Sequence, residues 1–283
     1  MSGRRFKRMV VGLPQGMGNS SAVQAAADLA EFLQVELLAA FVADTTLLDL
    51  AGFPAMREWR ILDQQWQPLD VNQISRDLEK VAEAARQRFA ASVGGRNIRT
   101  AFDVFRSAEL MSSLIEAGDI VTIIEPSHPG ESITRQFTAL LDAAFQAASA
   151  ILVVPKRIIW ATGPIMVQAA EPHDPSIRIA LEIAAAMKDR LIVVLPPGMQ
   201  LPPEIGTEAD RYGVVVEQLA ADPDVPPLLF SPRSKERLRV VPRGLLGGRT
   251  QLFSKLHGVP LLIIESGQTF PAAKEAGFKA SSA

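Results

Sequence analysis

The residues best suited to chemistry lie in a glycine-rich segment of the second half, "PRGLLGGRTQLFSKL" at 242–256. Glycines there would let backbone N–H groups turn toward an anion, and the N-terminus of a following helix would add positive potential. Arginine side chains can clamp phosphate oxygens, and a threonine can cap the helix or donate its hydroxyl. The candidate ligands for a phosphate group are Arg243, Gly244, Gly247, Gly248, Arg249 and Thr250. An ordinary glycine-rich turn before a helix would produce the same pattern, so both interpretations stay open.

A second glycine-containing segment, "GMGNSS" at 16–21, partly matches a dinucleotide-binding fingerprint. Gly16 and Gly18 have the required spacing, but Ser21 replaces the third glycine, which allows close packing of helix and strand. Asp44 ends the second predicted strand, where a ribose-binding carboxylate would lie. A nicotinamide- or flavin-dependent enzyme that uses this loop is therefore one alternative function.

Other catalytic patterns are missing from the sequence. There is no G-x-x-x-x-G-K-[ST] or G-x-S-x-G motif, and His128, His173 and His257 do not have the spacing of metal ligands. The chain has no cysteine, which excludes disulfides, thiol catalysis and cysteine-bound zinc. No catalytic residue and no metal ligand is assigned, and the sequence favours a protein that is not an enzyme.

Composition limits the class of protein. The chain has 283 residues, of which 48% are hydrophobic and 21% charged, enough for a packed core in one large or two ordinary domains. The net charge of −2 gives no general case for nucleic acid binding. The longest uncharged apolar stretch, 143–155, is shorter than the roughly 18 residues of a membrane span. We expect neither nucleic acid nor membrane as a partner, and a cytoplasmic location.

Short apolar strands alternate with amphipathic helices along the chain. This order predicts an α/β fold whose parallel sheet is covered on both faces. A Pro/Gly-rich stretch at 196–213 is expected to replace a helix in the second half. Strands are predicted at 8–14, 35–42, 98–105, 119–126 and 150–155, and again at 164–170, 190–197, 214–220, 237–244 and 259–266. Helices are predicted at 19–33, 72–92, 108–118, 134–148, 176–188 and 249–258.

The order of elements in the first half is repeated in the second. This indicates two domains in tandem, residues 1–158 and a trimmed copy at 159–283. The first domain carries an insert at 44–70, which contains Trp59 and Trp66. We expect these tryptophans to pack the insert onto its own domain. The alternative is that the insert forms a lid or a surface for a protein partner.

Both halves resemble domains of the universal stress protein family. "VVGLP" at 10–14 and "NSSAVQAAADLA" at 19–30 are similar to the strand, loop and Ala-Leu-rich helix that open such a domain. The helix at 176–188 has the same rhythm in Ala180-Leu181, Ala184 and Met187. "ASAILVVP" at 148–155 and "GVPLLII" at 258–264 are similar to its closing strand. The resemblance implies two doubly wound domains, each with a mostly parallel five-stranded sheet of the adenine nucleotide alpha hydrolase-like type.

The resemblance also implies an ATP site, and the sequence departs from it. The acidic residue that follows the first strand in many family members is replaced by Pro14 in the first repeat and by Pro172 in the second. Proline offers no side-chain acceptor to adenine or ribose. Glu171 and Asp174 flank Pro172 and would have to replace the missing carboxylate, while the first repeat keeps a single glycine, Gly130, in its phosphate loop.

These departures imply a stress-response protein with weak or absent nucleotide binding. No cofactor is certain, and ATP or another adenine nucleotide in the second repeat is the candidate ligand. A scaffold without ligand, used only for protein binding, is the remaining alternative. The resemblance further implies an internal pseudo-dimer, in which the closing strands 151–155 and 260–264 pair antiparallel.

Overall fold

The computed structural model describes most of the chain between residues 6 and 265. The described residues are 6–14, 20–43, 45–53, 55–61, 64–106, 113–126, 135–159, 162–221, 235–245 and 258–265.

The predicted helix at 108–118 is not found at 113–118, and residues 107–112 lie outside the described part of the chain. The first half otherwise alternates strands and helices as its sequence predicts, with an insert after the second strand. Its strands are β1 (Arg8–Pro14), β2 (Glu36–Val42), β3 (Arg57–Arg60), β4 (Gln65–Pro68), β5 (Thr100–Phe105), β6 (Asp119–Ile124) and β7 (Ala150–Val154). Its helices are α1 (Ser20–Leu33), α2 (Thr46–Ala51), α3 (Val71–Val93) and α4 (Arg135–Ala147).

Residues 246–257, which include most of the helix predicted at 249–258, lie outside the described part of the chain. The second half otherwise repeats this order without the insert. Its strands are β8 (Ile165–Gln168), β9 (Leu191–Leu195), β10 (Val216–Ala220), β11 (Leu238–Pro242) and β12 (Leu261–Ile264). Its helices are α5 (Pro175–Met187) and α6 (Pro203–Tyr212), and a short 3₁₀ turn, Arg243–Leu245, follows β11.

Within the described residues, ten strands form one sheet in the order β10-β9-β8-β11-β12-β7-β6-β1-β2-β5. Each half contributes five parallel strands, and the first strand of each half lies in the middle of its group. Counted along each half of the main sheet, the strand order is 3-2-1-4-5 in both. The predicted α/β class with doubly wound, mostly parallel sheets is therefore confirmed.

The two five-stranded groups meet where β7 pairs antiparallel with β12, the pairing of the closing strands that the family resemblance implies. Leu152 faces Leu262 across this pairing and Ile151 faces Ile263. Every residue of both strands is buried, because each strand has sheet neighbours on both sides and is covered by packed side chains on both faces.

Alanine-rich helices cover the sheet. On one face, α1, α3, α5 and α6 pack over a hydrophobic core that runs through both halves. The buried residues Ala22, Ala26 and Ala30 of α1 let its backbone approach the strands closely. On the other face, α4 packs over a second core formed mainly by the first half.

The expectation that a Pro/Gly-rich stretch replaces a helix in the second half is wrong. Helix α6 occupies Pro203–Tyr212 within that stretch. Proline is tolerated in the first helical turn because its missing N–H would have no partner there, so Pro203 begins the helix rather than breaking it. Gly213, with a φ of 68°, ends the helix in the left-handed conformation that glycine adopts readily.

The insert between β2 and α3 forms helix α2 and a hairpin of β3 and β4, which is separate from the main sheet. Trp59 and Trp66 face each other across the hairpin, with ring centroids 5.5 Å apart. They remain 48% and 61% exposed, so the expectation that they pack the insert onto its own domain is wrong. The two rings bury each other in part and leave much of their surface in solvent.

A buried ion pair joins β1 to β6. Asp119 is fully buried and accepts hydrogen bonds from Arg8 Nε and Nη2, the latter at 2.9 Å, and from the backbone N–H of Glu116 at 2.8 Å. The hydrogen bond to Asp119 raises the pKa of the Arg8 guanidinium above its ordinary value, although burial opposes the shift. The pair fixes the start of two central strands beside each other.

We predict that Asp119→Ala lowers the free energy of unfolding by about 3 kcal/mol, because it leaves the Arg8 guanidinium without its carboxylate. Urea denaturation followed by circular dichroism measures the change. Asp77→Ala is the matched control, since Asp77 pairs with Lys80 on the exposed face of α3 and its loss should leave the midpoint essentially unchanged. Equal midpoints for both variants would contradict the role assigned to the buried pair.

Candidate functional site

Each half of the sheet has a position where the strand order reverses. In the first half this position lies between β1 and β6, and in the second half between β8 and β11. Ligands of doubly wound folds bind outside the carboxyl ends of the strands at such positions. Because β7 and β12 are antiparallel, the carboxyl ends of the strands point in opposite directions in the two halves. The two crevices therefore open at opposite ends of the strands.

In the first crevice, the chain leaves β1 at Pro14 and leaves β6 just before Glu125. The Glu125 carboxylate accepts a hydrogen bond from the backbone N–H of Lys156 at 2.8 Å, and the Glu125 N–H donates to the carbonyl oxygen of Val154 at 2.8 Å. This carboxylate therefore links the end of β6 to the end of β7. Gly130, Asp44 and residues 16–19 of the predicted dinucleotide loop lie outside the described residues.

In the second crevice, the segment after β8 turns into helix α5. The Asp174 side chain is buried and accepts the backbone N–H of Ser176 at 2.9 Å, which caps the helix N-terminus. Glu171 is exposed, and its carbonyl oxygen accepts the Asp174 N–H at 3.2 Å. Asp174 thus stabilises the helix, a role indicated by the Asp-Pro pair at the helix start, while Glu171 presents its carboxylate to solvent.

The Arg243 side chain reaches from the end of β11 to the first half of the chain. Its Nη1 donates to the carbonyl oxygen of Phe145 at 2.9 Å and its Nη2 to that of Ala148 at 3.0 Å, at the end of α4. The guanidinium also pairs with Glu265 and lies 5.5 Å from the centre of the Phe145 ring. Arg243 therefore links the two halves, because its guanidinium contacts Glu265 of the second half and two carbonyl oxygens of the first.

Of the residues predicted to bind a nucleotide, the structure describes four. Glu171 and Asp174 follow β8, while Arg243 and Gly244 follow β11, the neighbouring strand. Gly244 is exposed within the 3₁₀ turn. The remaining residues lie outside the described part of the chain: Gly247, Gly248, Arg249 and Thr250. The nucleotide-binding role of the set stays a prediction.

A cleft that the sequence did not indicate lies where the two halves meet, on the face covered by α1 and α5. Its volume is about 230 Å³, and most of its lining is apolar. Asp28 and Arg237 supply charge at its wall. Arg96 Nη2 donates to Asp28 at 2.8 Å, and Arg237 lies 5.4 Å from the Phe32 ring centre. The lining residues are Gln24, Ala25, Asp28, Leu29, Leu152, Ile158, Met187, Arg237, Leu238 and Pro260.

Among the described residues, no helix is both long and apolar enough to cross a bilayer. Nowhere in the described ranges do three or more His, Asp or Glu side chains come together as a metal ion would require.

Comparison with known proteins shows the class of fold. No family model matches the chain, and no curated protein matches its sequence. Among solved structures, a universal stress protein from Archaeoglobus fulgidus DSM 4304 is similar with a TM-score of 0.60 and 11% identity, over 92% of this chain and 97% of that one. The chain therefore has a Rossmann-type α/β fold of the kind seen in a universal stress protein.

Two further structures are similar with lower scores. A universal stress protein from Lactobacillus plantarum has a TM-score of 0.30 and 16% identity, over 53% of this chain and 97% of that one. A functionally unknown protein from Pseudomonas aeruginosa PAO1 has a TM-score of 0.48 and 15% identity, over 93% and 94% of the two chains.

We predict that Arg243→Lys lowers the free energy of unfolding by about 2 kcal/mol, the scale of lost charged hydrogen bonds. A lysine ammonium cannot serve two carbonyl oxygens and a carboxylate with the fork geometry of a guanidinium. Arg190→Lys, at an exposed position before β9, is the control and should unfold like the wild type. Urea denaturation measures both variants, and an Arg243→Lys midpoint equal to that of the control would refute the assignment.

Proposed function

We propose that this chain is a universal-stress-type, non-enzymatic stress-response protein of tandem form. The observation that carries the proposal is the repeated strand order 3-2-1-4-5, which gives the one chain two doubly wound sheets. Its similarity in fold to a universal stress protein over 92% of the chain supports the same conclusion. The proposal includes a cytoplasmic location, two domains at 1–158 and 159–283, and an internal pseudo-dimer joined through β7 and β12.

Nucleotide binding in this proposal is absent from the first repeat and weak in the second. In the first repeat, Pro14 ends the strand where a carboxylate would contact the ribose. In the second, the carboxylate of Asp174 is used in capping α5 and the guanidinium of Arg243 in bonds to α4. Any contact with ATP or a related adenine nucleotide then depends on Glu171 and on the glycine-rich segment 244–250. Because so few groups remain to contact the nucleotide, we propose weak binding.

A second candidate function is a scaffold that binds another protein without a small ligand. The observation that favours it is the insert, whose tryptophans are half exposed although the central strands of the main sheet, such as β7 and β12, bury their apolar side chains. Native mass spectrometry of freshly purified protein separates the candidates. A co-purified adenine nucleotide supports the stress-type function, a dinucleotide supports the alternative enzyme, and empty sites together with a specific bound protein partner support the scaffold.

We predict that Gly247→Val abolishes any binding of Mg-ATP, because a branched side chain blocks approach of the phosphates to the backbone. Arg249→Ala should weaken binding by about 1.5–3 kcal/mol, the scale of a lost charged hydrogen bond. Isothermal titration calorimetry of the full chain measures both, and circular dichroism checks that the variants stay folded.

The matched control is Gly130→Val, which makes the same change in the corresponding loop of the first repeat. It should bind Mg-ATP as the wild type does. If the wild type binds and Gly130→Val is the variant that fails, the ligand lies in the first repeat and the site assignment is wrong.

A further inference from the structure

The hairpin of β3 and β4 exposes its apolar side chains. In most strand pairs the apolar side is the buried one. Side chains alternate between the two sides of each strand, and paired residues point to the same side. One side of the hairpin carries the facing pair Trp59 and Trp66, and both tryptophans are exposed. The other side carries Glu58, Arg60 and Gln67, which are half buried, and Gln65, which is exposed. The apolar side of the hairpin therefore faces solvent, whereas three of the four polar side chains on the other side are half buried.

The exposed side continues beyond the tryptophans. Ile61 follows β3 and is 82% exposed, and Pro68 ends β4 on the same side as Trp66. Arg57, which pairs with Pro68, supplies the charge on this side and lies at one end of it. We call this surface, formed by Arg57, Trp59, Ile61, Trp66 and Pro68, the hairpin face.

The area of the hairpin face limits the size of the interface it can form. Its exposed apolar side chains cover on the order of 500 Å², toward the upper end of what a monomer usually shows. A partner that presents an equal area would give a contact of about 1,000 Å² in total, where specific interfaces begin. This size corresponds to a weak, concentration-dependent association.

The chemistry of the hairpin face fits a second copy of the same surface. An isolated two-stranded ribbon is only marginally stable in water, and a stacked apolar layer would stabilise it. In a two-fold arrangement with the hairpins antiparallel, the tryptophan pairs of both copies meet at the centre. The two Arg57 side chains then lie at opposite ends, near Ile61 of the other copy, so no like charges face each other.

We propose that the hairpin face is a self-association surface, through which two copies of the chain form a weak dimer around a two-fold axis. This dimer is additional to the pairing of β7 with β12 within one chain. It does not depend on nucleotide binding, so it can fail or hold independently of the proposed function.

The test is sedimentation velocity of the full chain from about 1 to about 200 µM, a range in which a weak dimer changes population by mass action. We expect the wild type to shift from the 30.6 kDa monomer toward twice that mass as concentration rises. The double variant Trp59→Ser/Trp66→Ser should need at least about tenfold higher concentration for the same shift, since it loses both central contacts.

The matched control is Val215→Ser, which removes a 72% exposed apolar side chain near the outer strand β10, remote from the insert in the strand order. It should dimerise like the wild type. Circular dichroism of the double variant should be unchanged in the helical region, because the altered side chains point to solvent.

A charge-exchange pair makes the two-fold geometry testable. Trp59→Lys/Trp66→Lys and Trp59→Glu/Trp66→Glu should each be monomeric alone, because like charges meet at the centre of the interface. Mixed in equal amounts, they should form a heterodimer. A wild type that stays monomeric over the whole range overturns the proposal, even if it captures another protein. A serine double variant that dimerises like the wild type, or a charged mixture that stays monomeric, overturns it as well.

Discussion

The antiparallel contact between β7 and β12 is the constraint on which the rest of the structure depends. Both strands consist of apolar residues, and each would be an exposed apolar edge if its half of the chain stood alone. Their pairing moves the outer edges of the described sheet to β5 and β10, where side chains such as Asp103 and Glu217 are exposed. The outer strands of the sheet thus carry charged side chains that are exposed to water, and the purely apolar strands lie at its centre.

This central contact also governs what the crevices can do. It orients the two halves in opposite directions, so their crevices cannot share one ligand across the junction. It brings the end of β11 close to the end of α4, where the Arg243 guanidinium binds two carbonyl oxygens of the other half. A side chain with the chemistry to bind phosphate is thereby used to hold the halves together. Similarly, the carboxylate of Asp174 is used at the start of α5.

The sequence predicts the buried strands well because short, continuous apolar runs between amphipathic helices are typical of the central strands of a parallel sheet, as in β6 and β9. Helix α6 is harder to predict because its prolines and glycines suggest a loop until Pro203 is recognised as a first-turn residue. The hairpin escapes prediction because each strand has only four residues and carries a single tryptophan among arginine, glutamate and glutamine, too short and polar a segment to indicate a strand. The bonds of Arg243 to Phe145 and Ala148 span more than 90 residues, and the cleft combines elements of both halves, so neither leaves a local signal.

The two halves differ most in the connection from the second strand to the next helix, and this difference gives them different exposed surfaces. In the first half, the connection from the second strand to the next helix carries α2 and the hairpin, whereas in the second half β9 leads to α6 through the short segment 196–202. Both connections leave the carboxyl ends of strands, beside a crevice. The hairpin of the insert is separate from the main sheet, so this difference in one connection leaves the strand order the same in both halves. The insert of the first half therefore presents tryptophans to solvent, the second half keeps the glycine-rich segment 244–248 in its sequence, and both halves share the central pair of strands β7 and β12.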